Sequence, residues 1–342
     1  MRVLVAGIGG ASLGTEILKC LRMAGTYQAF GCDVSPYAFG HYQDGTVETF
    51  VVPTDGYVDA VAELCQRLTI DAVIPGGEEP LRLLMGGEDR LRRAGVRLAG
   101  NAPQVVADCS DKGRLFARLA ELAVPMPWTM VVVDEAAFAR RADVPMPCVV
   151  KPASGSGGSN FVYLATSLSD ARTYVNALLK EGRTPLVQEY VSEDEGEFTV
   201  GILATPAGRL IGSIALQRLF NAKLSVQMRS KAGLVSSGYS QGLIDDFPAV
   251  RAQAERIAVA MKNAGPMNIQ GRMRDGIFYP FEINPRFSAS VFLRAMAGFN
   301  EVDLFLKSLL GDGTPAVGPI RSGFYLRSLS EVFVPKTDLK AA

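Results

Sequence analysis

Three side chains that suit a metal ion or a phosphate alternate along one stretch near the end of the chain. Residues 277–283 are predicted to form a strand, and Glu282, Asn284 and Arg286 follow at every second position. Side chains two residues apart in an extended chain point to the same side. The two oxygen donors suit a hard cation such as Mg²⁺, and the guanidinium suits phosphate. Taken alone, these residues fit a surface strand in which Arg286 pairs with Glu282 as well as they fit a ligand site.

A second set of polar side chains precedes this strand. Asn268, Gln270 and Arg272 alternate along a predicted strand, and the Asp-Gly pair at 275–276 predicts a tight hairpin. The hairpin would lay the first strand beside the second. We therefore expect Gln270 to lie next to Glu282.

A lysine and a glycine-rich stretch form a third feature with phosphate chemistry. Lys151 lies near the end of the predicted strand 147–152, and Ser-Gly-Ser-Gly-Gly-Ser at 154–159 leads into a strand at 161–165. The amides of such a hairpin can close over phosphates, and lysine adds a point charge. It is not a Walker A loop, because a strand rather than a helix follows the glycines. By itself the stretch also fits a solvent-exposed turn.

The first hundred residues alternate buried strands with helices. The opening strand, 1–7, the turn Gly7-Ile-Gly9-Gly10-Ala-Ser-Leu-Gly14, a helix and a strand ending in Asp33 resemble a dinucleotide-binding unit, although the glycine spacing gives no clean GxGxxG. Further along, Glu78 and Glu79 follow another buried strand, at the edge where open α/β sheets bind ligands. They are candidates for contacting an amine-bearing substrate. The alternative is that both stabilise the N-terminus of a helix.

The change of pattern along the chain predicts three domains, covering residues 1–104, 105–190 and 191–342. The first has the strand–helix rhythm of an α/β fold, and the last has the long antiparallel strands of an α+β fold. Residues 223–242 are polar, glycine-rich and basic. They form either a mobile loop over a substrate or a solvated connection.

Composition excludes several classes of function. Lys+Arg and Asp+Glu both number 35, so the chain offers no electrostatic footprint for nucleic acid or an anionic membrane. The single histidine, His41, argues against a His-rich metal site or a His-centred triad. The five cysteines are scattered and no apolar run could span a bilayer. We therefore expect a cytoplasmic protein.

Four stretches, taken in order, resemble the motifs of the ATP-grasp superfamily, and the resemblance extends over about residues 1–310. The resemblance is most specific over Asp111-Lys112, Val149-Val-Lys151-Pro with its glycine loop, Val187-Gln-Glu-Tyr-Val191 with Glu197, and Asn268-Ile-Gln270 with Glu282-Ile-Asn-Pro-Arg286. The chain is similar to the carbamoyl-phosphate-synthase-like branch and to the amino-acid ligase of pyrrolysine biosynthesis. The resemblance implies an ATP-grasp fold with an N-terminal Rossmann-like domain that carries no nicotinamide.

The resemblance also implies roles for the matched residues. Lys112 and Lys151 would hold the phosphates of ATP, and Lys151 and Arg286 would act in catalysis, with Arg286 steadying the transferring phosphoryl group or the acyl-phosphate. The resemblance further implies a phosphate lid of Ser156, Gly157, Gly158 and Ser159 and an adenine-binding segment of Gln188, Glu189, Tyr190 and Val191. Glu197 would bind the ribose, or Glu195 in its place, because the loop before Glu197 is long and acidic. The Mg²⁺ ligands would be Gln270, Glu282 and Asn284. From their position in the chain, Glu78 and Arg294 are expected to contact the substrate.

The function implied is that of an ATP-dependent carboxylate–amine ligase that joins amino acids or similar small metabolites through an amide bond. ATP with Mg²⁺, or Mn²⁺ in its place, would convert a small-molecule carboxylate into an acyl-phosphate that an amine attacks. The chain would work as a homodimer without nucleic acid or membrane. The alternatives are a carboxylase-type enzyme that forms carboxyphosphate and works with a partner, and an NAD-dependent oxidoreductase built on residues 7–33.

Overall fold

The N-terminal part of the chain is a parallel sheet flanked by helices. The computed structural model describes residues 1–155, 161–221, 223–311 and 313–341. Five parallel strands lie in the order β3-β2-β1-β4-β5. They are β1 Arg2–Ala6, β2 Gln28–Asp33, β3 Glu48–Val51, β4 Ala72–Pro75 and β5 Arg97–Leu98, with helices α1 Leu13–Ala24, α2 Tyr57–Arg67, α3 Glu78–Gly86 and α4 Glu88–Arg93. Val3 to Ala6 of β1 are fully buried, as the strands of a parallel sheet covered on both faces require.

A smaller antiparallel sheet follows two connecting helices. Its strands lie in the order β6-β9-β7-β8. The Ser167 hydroxyl and the Asp170 carboxylate form a capping box that starts the long helix of this part. The elements are α5 Pro103–Cys109, α6 Lys112–Glu121, β6 Thr129–Val131, α7 Glu135–Ala139, β7 Cys148–Pro152, β8 Tyr163–Ala165, α8 Leu168–Lys180 and β9 Pro185–Glu189.

The C-terminal part is built on a six-stranded antiparallel sheet. Its order is β16-β15-β10-β11-β14-β17, and β12 and β13 form a separate hairpin. The elements are β10 Glu197–Ala204, β11 Leu210–Arg218, β12 Val226–Ser230, β13 Gly233–Ser236, β14 Gly242–Asp245, α9 Pro248–Ala260, β15 Pro266–Arg274, β16 Ile277–Asn284, α10 Val291–Met296, α11 Glu301–Leu310 and β17 Gly323–Tyr325.

The observed elements confirm the predicted change from α/β to α+β, and they correct one segment. The strand predicted from residue 277 is β16, and the Asp-Gly turn joins it to β15 as expected. Residues 223–242 are not a plain loop, because they contain the β12–β13 hairpin. None of the described helices combines the length and apolar character that a membrane span requires.

The first and last parts of the chain share a core. Helix α1 packs against α10 and α11, and the Asn300 side chain donates a 3.0 Å hydrogen bond to the Cys20 carbonyl. The buried Asn101 side chain donates a 3.0 Å hydrogen bond to the Pro266 carbonyl at the start of β15. These contacts hold the carboxyl edge of the parallel sheet beside the antiparallel sheet.

The core under the antiparallel sheet gives a stability prediction. Ile269 on β15 is fully buried against α9, whereas Ile277 on the next strand is 37% exposed. We expect Ile269→Ala to lower the free energy of unfolding by about 2–5 kcal/mol, because it removes buried methyl groups and leaves a cavity. The matched change Ile277→Ala should cost less than about 1 kcal/mol. Urea denaturation measures both, and equal losses would contradict the packing described.

Candidate active site

A cavity of about 500 Å³ lies where the three sheets meet. The parallel sheet contributes the turns after β1 and β4, the small sheet contributes the ends of β7 and β9, and the large sheet contributes β15 and β16. The segment after the β12–β13 hairpin completes the wall. Of the residues predicted to form a site, the cavity wall includes Glu78, Lys112, Lys151, Gln188, Glu189, Tyr190, Val191, Gln270, Glu282, Asn284 and Arg286. The fold therefore brings together residues more than 200 positions apart in the sequence.

The predicted metal ligands form one edge of this cavity. Gln270 lies opposite Glu282 in the β15–β16 pairing, and Asn284 follows on the same strand. The Gln270 amide donates to Glu282 Oε2 at 3.2 Å and the Asn284 amide donates to Glu282 Oε1 at 3.3 Å. Rotation of either side-chain amide by about 180° exchanges its nitrogen and oxygen, so that the oxygen can serve as a metal ligand. One carboxylate and two amide oxygens fit Mg²⁺, which takes oxygen ligands and completes its shell with phosphates and water.

The same edge holds a buried lysine. Lys151 Nζ donates to Gln188 Oε1 at 2.9 Å and to the Phe281 carbonyl at 3.1 Å, one residue before Glu282. Burial, together with the nearby charge of Lys112, lowers the pKa of Lys151 to about 7, against the opposing effect of Glu282. Burial removes water from the Lys151 ammonium group, so an anion that binds beside it would stabilise its charged form.

The end of β9 forms another part of the cavity wall. The Glu189 amide donates to the Trp128 carbonyl at 2.8 Å, and its carboxylate accepts from the Trp128 amide at 3.1 Å and pairs with Arg274. The Val191 carbonyl accepts from Arg272 at 2.7 Å. A ligand contact through Val191 would therefore use its N–H, and the Glu189 side chain holds this wall in place.

The structure corrects the predicted ribose ligand. Glu197 is fully buried, 2.8 Å from Arg272 and 3.3 Å from Arg218, and does not line the cavity. Glu195, the alternative, accepts a 2.9 Å hydrogen bond from the Asp275 amide at the β15–β16 turn and is also outside the cavity wall. The alternation of the sequence could not show that a buried arginine pair surrounds Glu197.

The segment from Leu234 to Ser240 is a wall of the cavity that the sequence did not reveal. The Leu234 carbonyl accepts from Arg272 at 2.9 Å, and its amide donates to the Tyr190 hydroxyl at 2.7 Å. Gly233 lies so close to the Tyr190 ring that a Cβ there would come within 2.4 Å of it. The sequence held one signal of this wall. Arg218 alternates with Ile214 and Leu216 along its strand, so it lies on the same strand face and is buried with them.

The two predicted substrate residues have different surroundings. Arg286 Nη2 donates to Glu78 Oε1 at 2.7 Å, and both residues line the cavity. Arg294 is fully buried, paired with Glu301 at 3.2 Å and hydrogen-bonded to Thr199 and Asn268 behind the cavity wall. The expectation that Arg294 touches a substrate is therefore wrong. Burial raises the pKa of Glu301, and the charge of Arg294 opposes that shift.

The N-terminal turn does not support the oxidoreductase alternative. Asp33 accepts hydrogen bonds from the amides of Ile8 and Ser35, at 2.7 and 3.0 Å. Phe39 packs so closely over the turn that a Cβ on Gly10 would lie 2.9 Å from it. The protein's own residues thus occupy the acid and the turn that a dinucleotide would contact.

The predicted phosphate lid, Ser156 to Ser159, lies outside the described residues.

Part of the chain matches a known protein family. A family model described as "ATP-grasp in the biosynthetic pathway with Ter operon" matches residues 181–332. The C-terminal part of the chain therefore resembles an ATP-grasp family in sequence. The carbamoyl phosphate synthase large chains of Mycobacterium sp. (strain JLS) and Vibrio cholerae are 28% and 27% identical over 220 and 218 residues, in each case 63% of this chain and 19% of the relative. The chain thus spans about a fifth of the length of these curated relatives.

Solved structures show the same ATP-grasp fold. The biotin carboxylase of Campylobacter jejuni superposes with a TM-score of 0.67 at 14% identity, covering 92% of this chain and 72% of that one. The L-amino acid ligase of Bacillus licheniformis gives a TM-score of 0.65 at 15% identity, covering 90% and 74%. The predicted ATP-grasp fold with an N-terminal Rossmann-like domain is confirmed.

The burial of Arg294 gives a second stability prediction. We expect Arg294→Met to lower the free energy of unfolding by about 3–5 kcal/mol, because it leaves Glu301 buried without its partner. The double variant Arg294→Met/Glu301→Gln should recover part of the loss, since the orphaned charge is gone. Urea denaturation compares the two. An Arg294→Met protein of normal stability would contradict the structural role.

Proposed function

We propose that the chain is an ATP-dependent ligase that joins a small-molecule carboxylate to an amine and releases ADP and phosphate. The observation that carries this proposal is the edge formed by Gln270, Glu282 and Asn284, with Lys151 hydrogen-bonded to the backbone of the same strand. It combines oxygen ligands for a hard cation with a cation for phosphate in one cavity.

The chain's residues divide the work as follows. Gln270, Glu282 and Asn284 would hold Mg²⁺, or Mn²⁺ in its place, which supplies charge neutralisation during phosphoryl transfer. Lys112 and Lys151 would contact the phosphates, and residues 188–191 with Leu234 would enclose the base. Arg286, two residues beyond Asn284, would hold the carboxylate and then its acyl-phosphate.

The bonds made and broken follow from the chemistry of a carboxylate. A carboxylate oxygen attacks the γ-phosphorus of ATP, and ADP leaves. The amine nitrogen then attacks the acyl carbon, phosphate leaves, and the amine loses a proton. No side chain of the enzyme becomes covalently attached in this scheme, and the cavity wall contributes charge and hydrogen bonds.

A release assay tests the proposal. Purified protein with MgATP is incubated with pairs of carboxylates and amines, ADP and phosphate are quantified, and products are identified by mass spectrometry. We expect ADP release that requires a carboxylate, with a conjugate that requires both partners. ADP release that depends on bicarbonate alone would favour the carboxyphosphate alternative. The homodimer remains a prediction that light scattering can check.

The edge formed by Gln270, Glu282 and Asn284, here called the metal edge, gives a third prediction. Glu282→Gln should reduce ATP turnover at least about 100-fold, because it removes the only carboxylate of the proposed Mg²⁺ ligand set. The fold should persist, since the hydrogen bonds that the Glu282 carboxylate accepts among the described residues come from these two amides. Thermal unfolding verifies this.

The matched control is Glu121→Gln. Glu121 is exposed and pairs with Arg118 on α6, away from the metal edge. It should retain wild-type turnover. A Glu282→Gln protein with wild-type turnover would rule out the metal assignment.

A further inference from the structure

The β12–β13 hairpin forms a two-stranded sheet of its own beside the cavity. A hairpin of two strands is at best marginally stable in water by itself. Gln227 on β12 and the segment from Leu234 to Ser240 nevertheless line the cavity. The position of this wall therefore depends on the groups that hold the hairpin from outside.

Two side chains bind the outer edge of β13. The Leu234 amide donates to the Tyr190 hydroxyl at 2.7 Å, and the Leu234 carbonyl accepts from Arg272 at 2.9 Å. Backbone groups at the edge of a sheet are the ones that a further strand would bind. Tyr190 and Arg272 thus take the place of a third strand.

The Tyr190 side chain is held in one orientation. Its hydroxyl donates to the Glu193 carboxylate, and its ring lies 4.7 Å from the Arg272 guanidinium. Burial raises the pKa of Tyr190 to about 12, so the hydroxyl stays protonated and can donate to Glu193 while it accepts from Leu234. Gly233, with a φ of +147°, lets the hairpin backbone come against the ring, where a Cβ would overlap it.

The Tyr190 backbone belongs to a different wall of the cavity. It lies between Glu189 and Val191 at the end of β9, and its amide donates to the Pro147 carbonyl at 3.1 Å. The backbone of Tyr190 is thus fixed to the small sheet, while its side chain is fixed to the hairpin. A nucleoside that restricts the backbone of residues 188–191 would favour the Tyr190 orientation that docks the hairpin.

We propose that Tyr190 is a positioning residue whose side chain couples nucleotide binding to the placement of the β12–β13 hairpin and of the wall from Leu234 to Ser240. This inference rests on the proposed binding of the base by residues 188–191, and it adds the residue that connects this segment to the hairpin. The coupling is reciprocal, so a docked hairpin also favours the nucleotide. The other substrates would meet a complete wall only after the nucleotide has bound.

Hydrogen–deuterium exchange of the hairpin amides tests the coupling without turnover. Exchange of residues 226–236 is measured by mass spectrometry on the full chain, alone, with MgADP, and with magnesium tripolyphosphate, which lacks the base. We expect saturating MgADP to slow this exchange about fivefold or more in the wild type, the effect of one neutral hydrogen bond. Tripolyphosphate should leave it unchanged.

Tyr190→Phe removes only the hydroxyl and leaves the Leu234 amide without its acceptor. We expect hairpin exchange to become faster, MgADP to slow it no longer, and calorimetric affinity for MgADP to fall about fivefold, because the coupling acts in both directions. The control is Tyr325→Phe, which also removes a hydroxyl donor, here 2.8 Å from the Arg321 carbonyl and outside the cavity wall. It should keep wild-type exchange and affinity.

A second variant changes the same contact from the hairpin side. Gly233→Ala places a methyl group against the Tyr190 ring and should abolish the effect of MgADP on hairpin exchange as Tyr190→Phe does. Its control is Gly56→Ala. Gly56 also has a positive φ, +67°, but a Cβ there meets no described atom within 4 Å.

A purely structural role for the Tyr190 hydroxyl would speed hairpin exchange by the same factor with and without MgADP. That result would overturn the inference, as would slowing by tripolyphosphate alone or an MgADP effect that is equal in the wild type and Tyr190→Phe. MgADP protection that requires Tyr190 supports the inference even if the release assay finds no turnover, which would refute only the proposed reaction. Normal ADP release from a protein whose hairpin exchange ignores MgADP would overturn the inference and leave the ligase function in place.

Discussion

The buried carboxylate of Glu197 determines the position of one whole wall of the cavity. A charge removed from water is costly unless it is paired and hydrogen-bonded, so Glu197 requires the two arginines that surround it. Arg272, fixed by this pair, reaches the carbonyls of Val191 and Leu234. Arg218 in turn reaches the carbonyls of Ser237 and Tyr239, both at 2.9 Å. One buried ion-pair group thus holds the end of β9 and the segment after β13 on the same side of the cavity.

The metal edge depends on a more local constraint. The two-residue turn between β15 and β16 sets their pairing, and the pairing sets Gln270 opposite Glu282. Lys151 connects this edge to the small sheet through its hydrogen bonds to Gln188 and the Phe281 carbonyl. The small sheet therefore contacts the large one through groups that a nucleotide would also bind. A ligand at this junction would compete for the same donors, which couples its binding to the position of the small sheet.

These two kinds of constraint explain what could be predicted from the sequence. The sequence could predict the side-by-side placement of Gln270, Glu282 and Asn284, because strand alternation and a hairpin turn are local features that a few residues specify. The burial of Glu197 and Arg294 was not, because it depends on partners brought close only by the assembled sheets, such as Arg272 at 75 positions from Glu197. The β12–β13 hairpin was missed for a related reason. Its polar, glycine-rich sequence resembles a loop, and its order comes from contacts with Tyr190 and Arg272.

The cations of the cavity share a property that bears on how any ligand is selected. Lys151 is bound to an amide oxygen and a carbonyl, and Arg286 is bound to a carboxylate and a carbonyl. An anionic ligand thus exchanges one set of partners for another, and its net affinity is the difference between the two. For Lys151 the exchange replaces neutral acceptors by phosphate and favours any nucleotide. For Arg286 it replaces one carboxylate by another, so the gain depends on what the released Glu78 meets next. An anionic ligand would therefore gain less at Arg286 than at Lys151, because at Arg286 it competes with the charged Glu78.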